Sequence, residues 1–156
     1  MAQVTLRSID DGNRAAVTAL RVAPDQEHFV ATVAKSFEDA TAHADANPTL
    51  RAIYAGDEPV GFVMLADPGD DHGSPRYYLW RLLIDADAQG RGYGRATLDA
   101  LVAYLRTRPG ADVLLTSCVP GEDSPQPFYE RYGFVPTGEI KWDEVVLRLD
   151  LTTEDR

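Results

Sequence analysis

Six consecutive residues near the middle of the chain have the composition of a site for a phosphate chain. The segment reads Gln89-Gly90-Arg91-Gly92-Tyr93-Gly94, and it lies between an apolar run at residues 79–84 and a helix-like run at residues 96–105. Alternate glycines let the backbone turn tightly and approach a ligand that a Cβ atom would exclude. The first amides of the helix have no acceptor within the helix, so they attract an anion, and Arg91 and Arg95 can add charge-assisted contacts.

The spacing of these residues excludes two common phosphate loops. The dinucleotide pattern Gly-x-Gly-x-x-Gly, counted from Gly90, requires a glycine where Arg95 stands, and the Walker pattern requires a lysine that the segment lacks. The pattern Gln/Arg-x-x-Gly-x-Gly/Ala is met by Gln89, Gly92 and Gly94. The segment therefore resembles the acetyl-CoA loop of the GNAT superfamily of N-acyltransferases, and the resemblance implies that its backbone amides hold the CoA pyrophosphate.

A second segment, Phe128-Tyr129-Glu130-Arg131-Tyr132-Gly133-Phe134, resembles the Leu/Phe-Tyr-x-x-x-Gly-Phe motif of the same superfamily. It lies one strand and one short helix after the glycine segment, as in the superfamily. By this resemblance, Tyr129 is the general acid that donates a proton to the departing thiolate when an amine attacks the thioester carbonyl. Tyr132 has the weaker claim, because it does not occupy the catalytic position of the motif. The two motifs together imply an N-acetyltransferase with acetyl-CoA as co-substrate.

The resemblance also implies contacts along the rest of the acetyl-CoA molecule. Residues 82–84 match the stretch whose backbone pairs with the pantetheine arm and whose amide can polarise the thioester oxygen. The predicted cofactor-binding residues are Leu82, Leu83, Ile84, Gln89, Gly90, Arg91, Gly92, Tyr93, Gly94 and Arg95. In one departure from the family, Glu122 stands where many relatives have an asparagine. Cys118 lies in an apolar run with no neighbouring histidine, so we expect an inert thiol and direct transfer without a covalent intermediate.

Less specific patterns over nearly the whole chain resemble the bacterial spermine/spermidine (diamine) acetyltransferase branch. They include Gln26-Glu27-His28-Phe29-Val30, Val60-Gly61-Phe62-Val63-Met64, Trp80-Arg81-Leu82 and Glu144-Val145-Val146. An alkylamine with a pKa of about 10 must lose a proton before it attacks, so the acceptor pocket needs carboxylates or waters. The candidate bases are Glu27, Glu38 and Glu144, and the predicted substrate-binding residues are Glu27, His28, Phe29, Trp80 and Glu144. Aromatic faces favour alkylammonium chains.

Three interpretations of the function remain open at the level of the sequence. The first is a small-amine or polyamine N-acetyltransferase, and the second is the same fold acting on a peptide amino terminus, a lysine or an aminoglycoside. The third is an acyl-CoA-binding module without catalysis, against which the retention of Tyr129 argues. The superfamily resemblance further implies a homodimer.

The elements that must position these residues follow from the periodicity of the apolar side chains. We predict the order β-α-α-β-β-β-α-β-α-β-β in an α/β (α+β) fold with a mixed, mostly antiparallel central sheet flanked by helices, as in GNAT enzymes. Pro24 is expected to open the second helix, with a restart at a capping box of Ser36 and Asp39 and an end near Asn47-Pro48. Ser124 is predicted to cap the last helix, and a loop is expected at residues 67–74. Pro109-Gly110 should stop the helix-like run at residues 96–105.

Length and composition indicate one domain over residues 1–156 and exclude several classes of protein. The formal net charge of −10 weighs against a nucleic-acid partner, and it serves either solubility or the attraction of a cationic substrate. One cysteine and three histidines without paired spacing predict neither a disulfide nor a metal site. The sequence contains no segment with the pattern of a membrane span or a signal peptide, so we expect a cytoplasmic protein.

Overall fold

A computed structural model of the chain describes residues 2–67, 77–108 and 111–151. The elements are β1 Thr5–Arg7, α1 Arg14–Thr18, α2 Val33–Ala42, β2 Pro48–Ala55, β3 Glu58–Ala66, β4 Tyr77–Ile84, α3 Tyr93–Leu105, β5 Val113–Cys118, α4 Gln126–Tyr132, β6 Val135–Lys141 and β7 Glu144–Asp150. Short 3₁₀ turns lie at Pro24–Gln26, Ala44–Ala46 and Ala86–Ala88. The predicted order of strands and helices is confirmed.

The strands form one seven-stranded sheet in the order β1-β2-β3-β4-β5-β7-β6. Its neighbouring strands are antiparallel except for β4 and β5, which run parallel, so the predicted mixed and mostly antiparallel sheet is confirmed. A hairpin that turns at Gly56-Asp57 joins β2 and β3. A parallel pair needs a crossover connection, and α3 supplies it between β4 and β5.

Each face of the sheet is covered by a different pair of helices. On one side, which we call the α3 face, Leu98, Leu101 and Leu105 of α3 pack with Phe134 against the sheet. On the other side, the α2 face, Val17 of α1 and Val33 of α2 pack against Phe62, Met64 and Leu83 of the central strands. Because side chains alternate along a strand, the buried residues of the central strands are divided between these two cores.

The amino-terminal helices differ from the sequence prediction. Pro24 opens only a 3₁₀ turn, and α2 begins separately at Val33, where the Thr32 hydroxyl accepts a hydrogen bond from the Lys35 amide at 3.1 Å. The predicted capping box at Ser36 is wrong, because Thr32 already caps this helix and the Ser36 hydroxyl donates to the Thr32 carbonyl at 2.9 Å from inside it. The helix ends at Ala42 rather than near Asn47.

The last helix starts one residue later than its predicted cap implies. Pro125 is the capping residue of α4. The Ser124 hydroxyl lies just before the helix and accepts a hydrogen bond from the Gln126 amide at 3.2 Å. Apart from Asp67, the loop predicted at residues 67–74 lies outside the described residues, as does the helix stop at Pro109-Gly110.

Candidate active site

The two central parallel strands separate where the predicted thioester site would lie. The parallel pairing of β4 with β5 runs from Tyr77 and Leu114 to Leu79 and Thr116, and in the described residues it ends there. The register between β3 and β4 shifts at this point, since Leu65 pairs with Leu79 whereas Met64 pairs with Arg81. The extra residue is Trp80, and such bulges bend a strand. Beyond the bulge β4 pairs with β3 alone, which leaves a notch between β4 and β5.

The glycine segment lies at the end of β4 and forms the start of α3. Gly90 and Gly92 have φ angles of +80° and +85°, which L side chains rarely adopt, and Gly92 is the capping residue of the helix. The first intrahelical bond runs from the Ala96 amide to the Gly92 carbonyl at 3.0 Å. The amides of Tyr93, Gly94 and Arg95 therefore precede the first intrahelical donor, and they carry the positive end of the helix dipole.

Gly94 connects the two sequence motifs through packing. A Cβ atom at this position would lie 3.0 Å from Cζ of Phe128, which is tighter than most real contacts of a Cβ atom. The Phe128 ring in turn contacts the Tyr129 ring edge-on, with centroids 5.3 Å apart. The start of α3 and the middle of α4 thus lie against one another, and the absence of a side chain at Gly94 permits this approach.

A cleft of about 510 Å³ extends from the glycine segment to Tyr129. Its lining comes from the end of β4, the glycine segment, the start of α4 and the 3₁₀ turn before α2. The lining residues are Val22, Gln26, Phe29, Val30, Leu82, Ile84, Ala88, Gln89, Gly90, Gly92, Tyr93, Gly94, Arg95, Asp123, Ser124, Pro125, Pro127, Phe128, Tyr129 and Arg131. An elongated cleft that joins a helix amino terminus to a buried hydroxyl suits a long ligand with a phosphate group.

Eight of the ten predicted cofactor-binding residues line this cleft. The two exceptions are Leu83, whose side chain is buried in the core of the α2 face, and Arg91, which is exposed. Gln89 lines the cleft, but its side-chain amide binds other protein groups. It exchanges two hydrogen bonds with Gln26, at 2.9 and 3.1 Å, and donates a third to the Ile84 carbonyl at 2.9 Å. Gln89 thereby joins the end of β4 to the 3₁₀ turn.

Tyr129 is the most deeply buried hydroxyl-bearing side chain of the cleft lining, with 6% of its surface exposed. Burial raises the pKa of Tyr129, and the nearby Thr116 hydroxyl, which donates a hydrogen bond to the Leu79 carbonyl at 2.9 Å, opposes this only weakly. Tyr132 lies outside the cleft lining and donates a hydrogen bond to Asp99 at 2.7 Å. Burial also raises the pKa of Cys118, so this thiol stays protonated, which agrees with its expected inertness.

The predicted acceptor residues are distributed over several places. Phe29 lines the cleft, whereas Glu27 and His28 are exposed beside it. Trp80 is half-buried and packs against the core of the α2 face, with its ring centroid 6.0 Å from that of His43. Glu144 at the start of β7 accepts a hydrogen bond from the Ser117 hydroxyl at 2.8 Å. The third candidate base, Glu38, is exposed on α2.

Several residues of the cleft were not identified from the sequence. Gln26 begins one of the patterns that resemble the spermine/spermidine acetyltransferases. Its hydrogen bond with Gln89 could not be predicted, because it joins residues 63 positions apart in the chain. Asp123 and Ser124 precede the second motif and Arg131 lies within it, and their proximity to Tyr129 along the chain was the available signal. Glu122, which replaces the family asparagine, is exposed and does not contribute to the lining.

Metal-binding clusters and membrane-spanning helices are both absent from the described part of the chain. No group of three or more histidine, cysteine, aspartate or glutamate side chains there could hold a metal ion. No helix in residues 2–67, 77–108 or 111–151 has the length and hydropathy needed to cross a membrane.

Comparisons with known proteins agree with this geometry. A model of the acetyltransferase (GNAT) family matches residues 22–134. The spermine/spermidine N(1)-acetyltransferase of Bacillus subtilis (strain 168) is 27% identical over 143 residues, which cover 90% of this chain and 93% of that protein.

Solved structures show the same fold. An aminoglycoside acetyltransferase, AAC(6')-Ib in complex with coenzyme A, has a TM-score of 0.73 at 19% identity over 95% of both chains. The GNAT domain of S. lividans PAT has a TM-score of 0.71 at 20% identity, covering 96% of this chain and 90% of that one.

Proposed function

Because the chain belongs to the GNAT acetyltransferase family and is therefore an acyltransferase, we propose that it moves an acetyl group from acetyl-CoA directly to a primary amine of a polyamine or diamine. The observation that carries this proposal is the cleft that joins the amides at the start of α3 to the buried Tyr129 hydroxyl. One end suits a pyrophosphate and the other a thioester. Spermine and spermidine are the acceptors that we propose first, since the relative from Bacillus subtilis is named for them.

Acetyl-CoA binding is assigned to backbone groups more than to side chains. The amides of Tyr93, Gly94 and Arg95 receive the pyrophosphate, and the edge of β4 that lacks a strand partner beyond the bulge receives the pantetheine arm. Ile84 is available only in part, because its carbonyl already accepts a bond from Gln89. In this arrangement the thioester lies in the notch between β4 and β5.

Tyr129 acts on the leaving group in the proposed reaction. The amine nitrogen attacks the carbonyl carbon, the carbon–sulfur bond breaks towards sulfur, and the sulfur takes the Tyr129 proton. The raised pKa keeps this hydroxyl protonated over the ordinary pH range, so it is always available as a donor. Its burial in the cleft excludes water, which strengthens the hydrogen bond to the developing thiolate.

A cationic acceptor is supported by the charge of the chain and by the residues around the cleft. The net charge is −10, and the carboxylates of Glu27, Glu38 and Glu144 remain the candidate bases. Phe29 at the cleft, with His28 beside it and Trp80 on the α2 face, can contact an alkylammonium chain. An aminoglycoside, a lysine or a peptide amino terminus would use the same groups, so these amines belong in the test.

The test is release of CoA thiol from acetyl-CoA with a panel of amines. We expect turnover with spermine, spermidine or a diamine above that with amino acids, aminoglycosides and peptides. If an amino acid, an aminoglycoside or a peptide is acetylated faster than the polyamines and diamines, that amine is the acceptor and the polyamine proposal is wrong. Acetyl-CoA that binds in calorimetry without acetyl transfer to any amine would support the non-catalytic acyl-CoA-binding module instead.

We also propose that residues 1–156 act as one cytoplasmic domain and assemble as a homodimer. All seven strands lie in one sheet, which supports a single domain. The outer strand β6 is an exposed edge, with 62% of Ile140 exposed and 76% of Trp142 in the turn that follows. If two copies pair antiparallel about Ile140, each Glu139 faces Lys141 of the other copy, so charge complementarity favours a second copy as the occupant of this edge.

A further inference from the structure

We propose that Ser117 is a further catalytic residue, which takes a proton from the acceptor ammonium group and passes it to Glu144. The inference rests on the proposed amine acetyltransferase activity and deepens it. The supporting observation is the hydrogen bond that the Ser117 hydroxyl donates to Glu144 Oε1 at 2.8 Å. A serine whose own proton is already directed at a carboxylate can accept another proton on its free lone pairs.

Ser117 lies at the mouth of the notch. The last paired residue of β5 against β4 is Thr116, so Ser117 is the first residue of β5 beyond the point where the strands separate. Across β7, Ser117 pairs with Val146, and Glu144 lies two residues further along the same face. Both side chains therefore occupy the place where an acceptor would approach a thioester bound in the notch.

Ser117 and Tyr129 lie on opposite faces of the sheet. Leu114 and Cys118 of β5 pack in the same core as Tyr129, and Thr116 lies between them on that face. Side chains alternate along a strand, so Ser117 is directed to the α2 face. The proton needed by the leaving sulfur would thus come from one face, and the proton lost by the amine would leave on the other.

The hydroxyl of Tyr78 is a second, independent indication that a ligand binds beside Ser117 and Glu144. It is buried beside Ser117 and makes no hydrogen bond of good geometry to the described residues. A buried hydroxyl without a partner costs free energy, which a bound amine or its water would recover. Burial raises the pKa of Tyr78, so this group stays neutral and can accept a hydrogen bond from the ammonium group without exchanging a proton.

Other charged groups near Glu144 belong to the neighbouring strands. On β6, Lys141 pairs with Glu144 across the ladder, and its Nζ lies 3.8 Å from Glu139 Oε2. On β4 and β5, Tyr78 and Cys118 are electrostatically coupled to Glu144, and the pKa of each is raised chiefly by burial. Both of these groups are neutral near pH 7, so the charged neighbours of Glu144 named on the adjacent strand are Glu139 and Lys141, and Asp143 precedes Glu144 in the turn between β6 and β7.

The proton balance closes over one turnover. The ammonium group gives one proton to Ser117, whose own proton passes to Glu144 and from there to solvent. The free amine attacks the thioester carbonyl carbon, and the electrons of the carbon–sulfur bond go to sulfur, which is protonated by Tyr129. The second proton of the attacking nitrogen replaces the one that Tyr129 has given. The products are an amide, a thiol and one released proton.

The experiment compares pH profiles of kcat/KM for spermidine between the wild type, Ser117→Ala, Ser117→Thr and Glu144→Gln. At pH 7 we expect about a 100-fold loss for Ser117→Ala and Glu144→Gln, as is usual for a removed general base. Their activities should rise about tenfold per pH unit towards the amine pKa of about 10, and the deficit should shrink there. Ser117→Thr, which keeps the hydroxyl, should retain most of the activity.

Two controls separate proton transfer from structural effects. Glu139→Gln removes a neighbouring carboxylate that lies outside the Ser117–Glu144 pair, and it should retain the wild-type profile. An acceptor whose amine has a pKa of about 8 is largely deprotonated at pH 8.5, so Ser117→Ala should lose far less activity with it. A defect in folding would reduce activity equally with both acceptors and would persist at high pH.

The outcomes distinguish this inference from the activity on which it rests. If the wild type acetylates spermidine and Ser117→Ala keeps the wild-type pH profile, the role of Ser117 is wrong and the proposed function stands. An equal loss with both acceptors at every pH would also overturn the role of Ser117. If the wild type acetylates no amine, both proposals fail.

Discussion

The chemistry at Tyr129 depends on a hydroxyl that is protonated and removed from water. Burial raises the pKa of this group, so the folded protein holds the proton more firmly than an exposed tyrosine does. The hydroxyl therefore remains a hydrogen-bond donor, and it should not ionise in the pH range where the ammonium groups of spermidine lose their protons.

We predict that Tyr129→Phe lowers kcat by a factor of about 100 to 10,000 and leaves the Kd of acetyl-CoA nearly unchanged. The ring that packs on Phe128 and Phe134 is retained, and only the hydroxyl is lost. Steady-state kinetics at saturating acetyl-CoA, with calorimetry of acetyl-CoA binding, measure the two effects. Unchanged turnover would contradict the role of a general acid.

The matched control is Tyr132→Phe, which removes a hydroxyl bound to Asp99 outside the cleft and should keep turnover. The sign of the pKa shift gives a further check on the wild type. Because the pKa of Tyr129 is raised, its ionisation should cause no fall in kcat up to about pH 10, the value for an ordinary tyrosine.

The site also depends on how closely the start of α3 approaches α4. We predict that Gly94→Ala weakens acetyl-CoA binding by about tenfold, or roughly 1.4 kcal/mol, because the new methyl group displaces the Phe128 ring. In a Phe128→Leu background, which replaces the ring, the same glycine substitution should cost clearly less. Calorimetry of the four proteins gives the coupling, and additive effects would contradict the packing argument.

A second link between elements lies on the α2 face. Arg81, next to the bulge of β4, pairs with Asp39 of α2 at 2.7 Å, and Lys35 binds the other oxygen of this carboxylate at 3.0 Å. Burial opposes ionisation, but the bonds from Lys35 and Arg81 outweigh it, so the pKa of Asp39 is lowered. This pair ties α2 to the part of β4 that borders the notch.

We predict that Asp39→Asn lowers the free energy of unfolding by about 1–3 kcal/mol at pH 7, because Arg81 then lacks its partner. A lowered folded pKa stabilises the protein above the unfolded value of 3.8, and this contribution is lost as the pH falls through the folded value. The difference between wild type and variant in urea denaturation should therefore shrink below pH 4. Asp57→Asn, which removes an exposed partner of Arg7, is the control and should change little. If the difference in the free energy of unfolding between wild type and Asp39→Asn is the same at pH 7 as below pH 4, the contribution of the ion pair is contradicted.

Local motifs made most of the elements predictable from the sequence. Positions 90 and 92 have left-handed backbone, which favours glycine, and Tyr129 lies in a short motif, so the glycine segment and Tyr129 could both be located without a structure. The start of α2 could not, because Thr32 and Ser36 are both capping residue types. The structure places Ser36 inside the helix, buried, where Arg81 of β4 donates a hydrogen bond to its hydroxyl at 3.2 Å. The hydrogen bond from Ser117 to Glu144 could not be predicted from the sequence either, because it depends on the register in which β5 and β7 pair.

For the whole molecule, the exposed edge of β6 should determine the oligomeric state. We predict a dimeric mass in light scattering, and a shift towards the monomer for Ile140→Asp, which places a charge at the centre of the proposed pairing. Tyr104→Asp is a control, because Tyr104 is also exposed but lies on α3. A monomeric wild type, or an equal shift for both variants, would contradict dimerisation through β6.

The proposed reaction of the whole molecule is direct transfer of an acetyl group from acetyl-CoA to a polyamine. Mass spectrometry of a reaction with spermidine and isotope-labelled acetyl-CoA detects this transfer. We predict labelled N-acetylspermidine in equal amount to the CoA released, with no labelled acetyl group on the protein. Thiol release without acetylated spermidine, or a labelled acetyl group carried on Cys118, would contradict it.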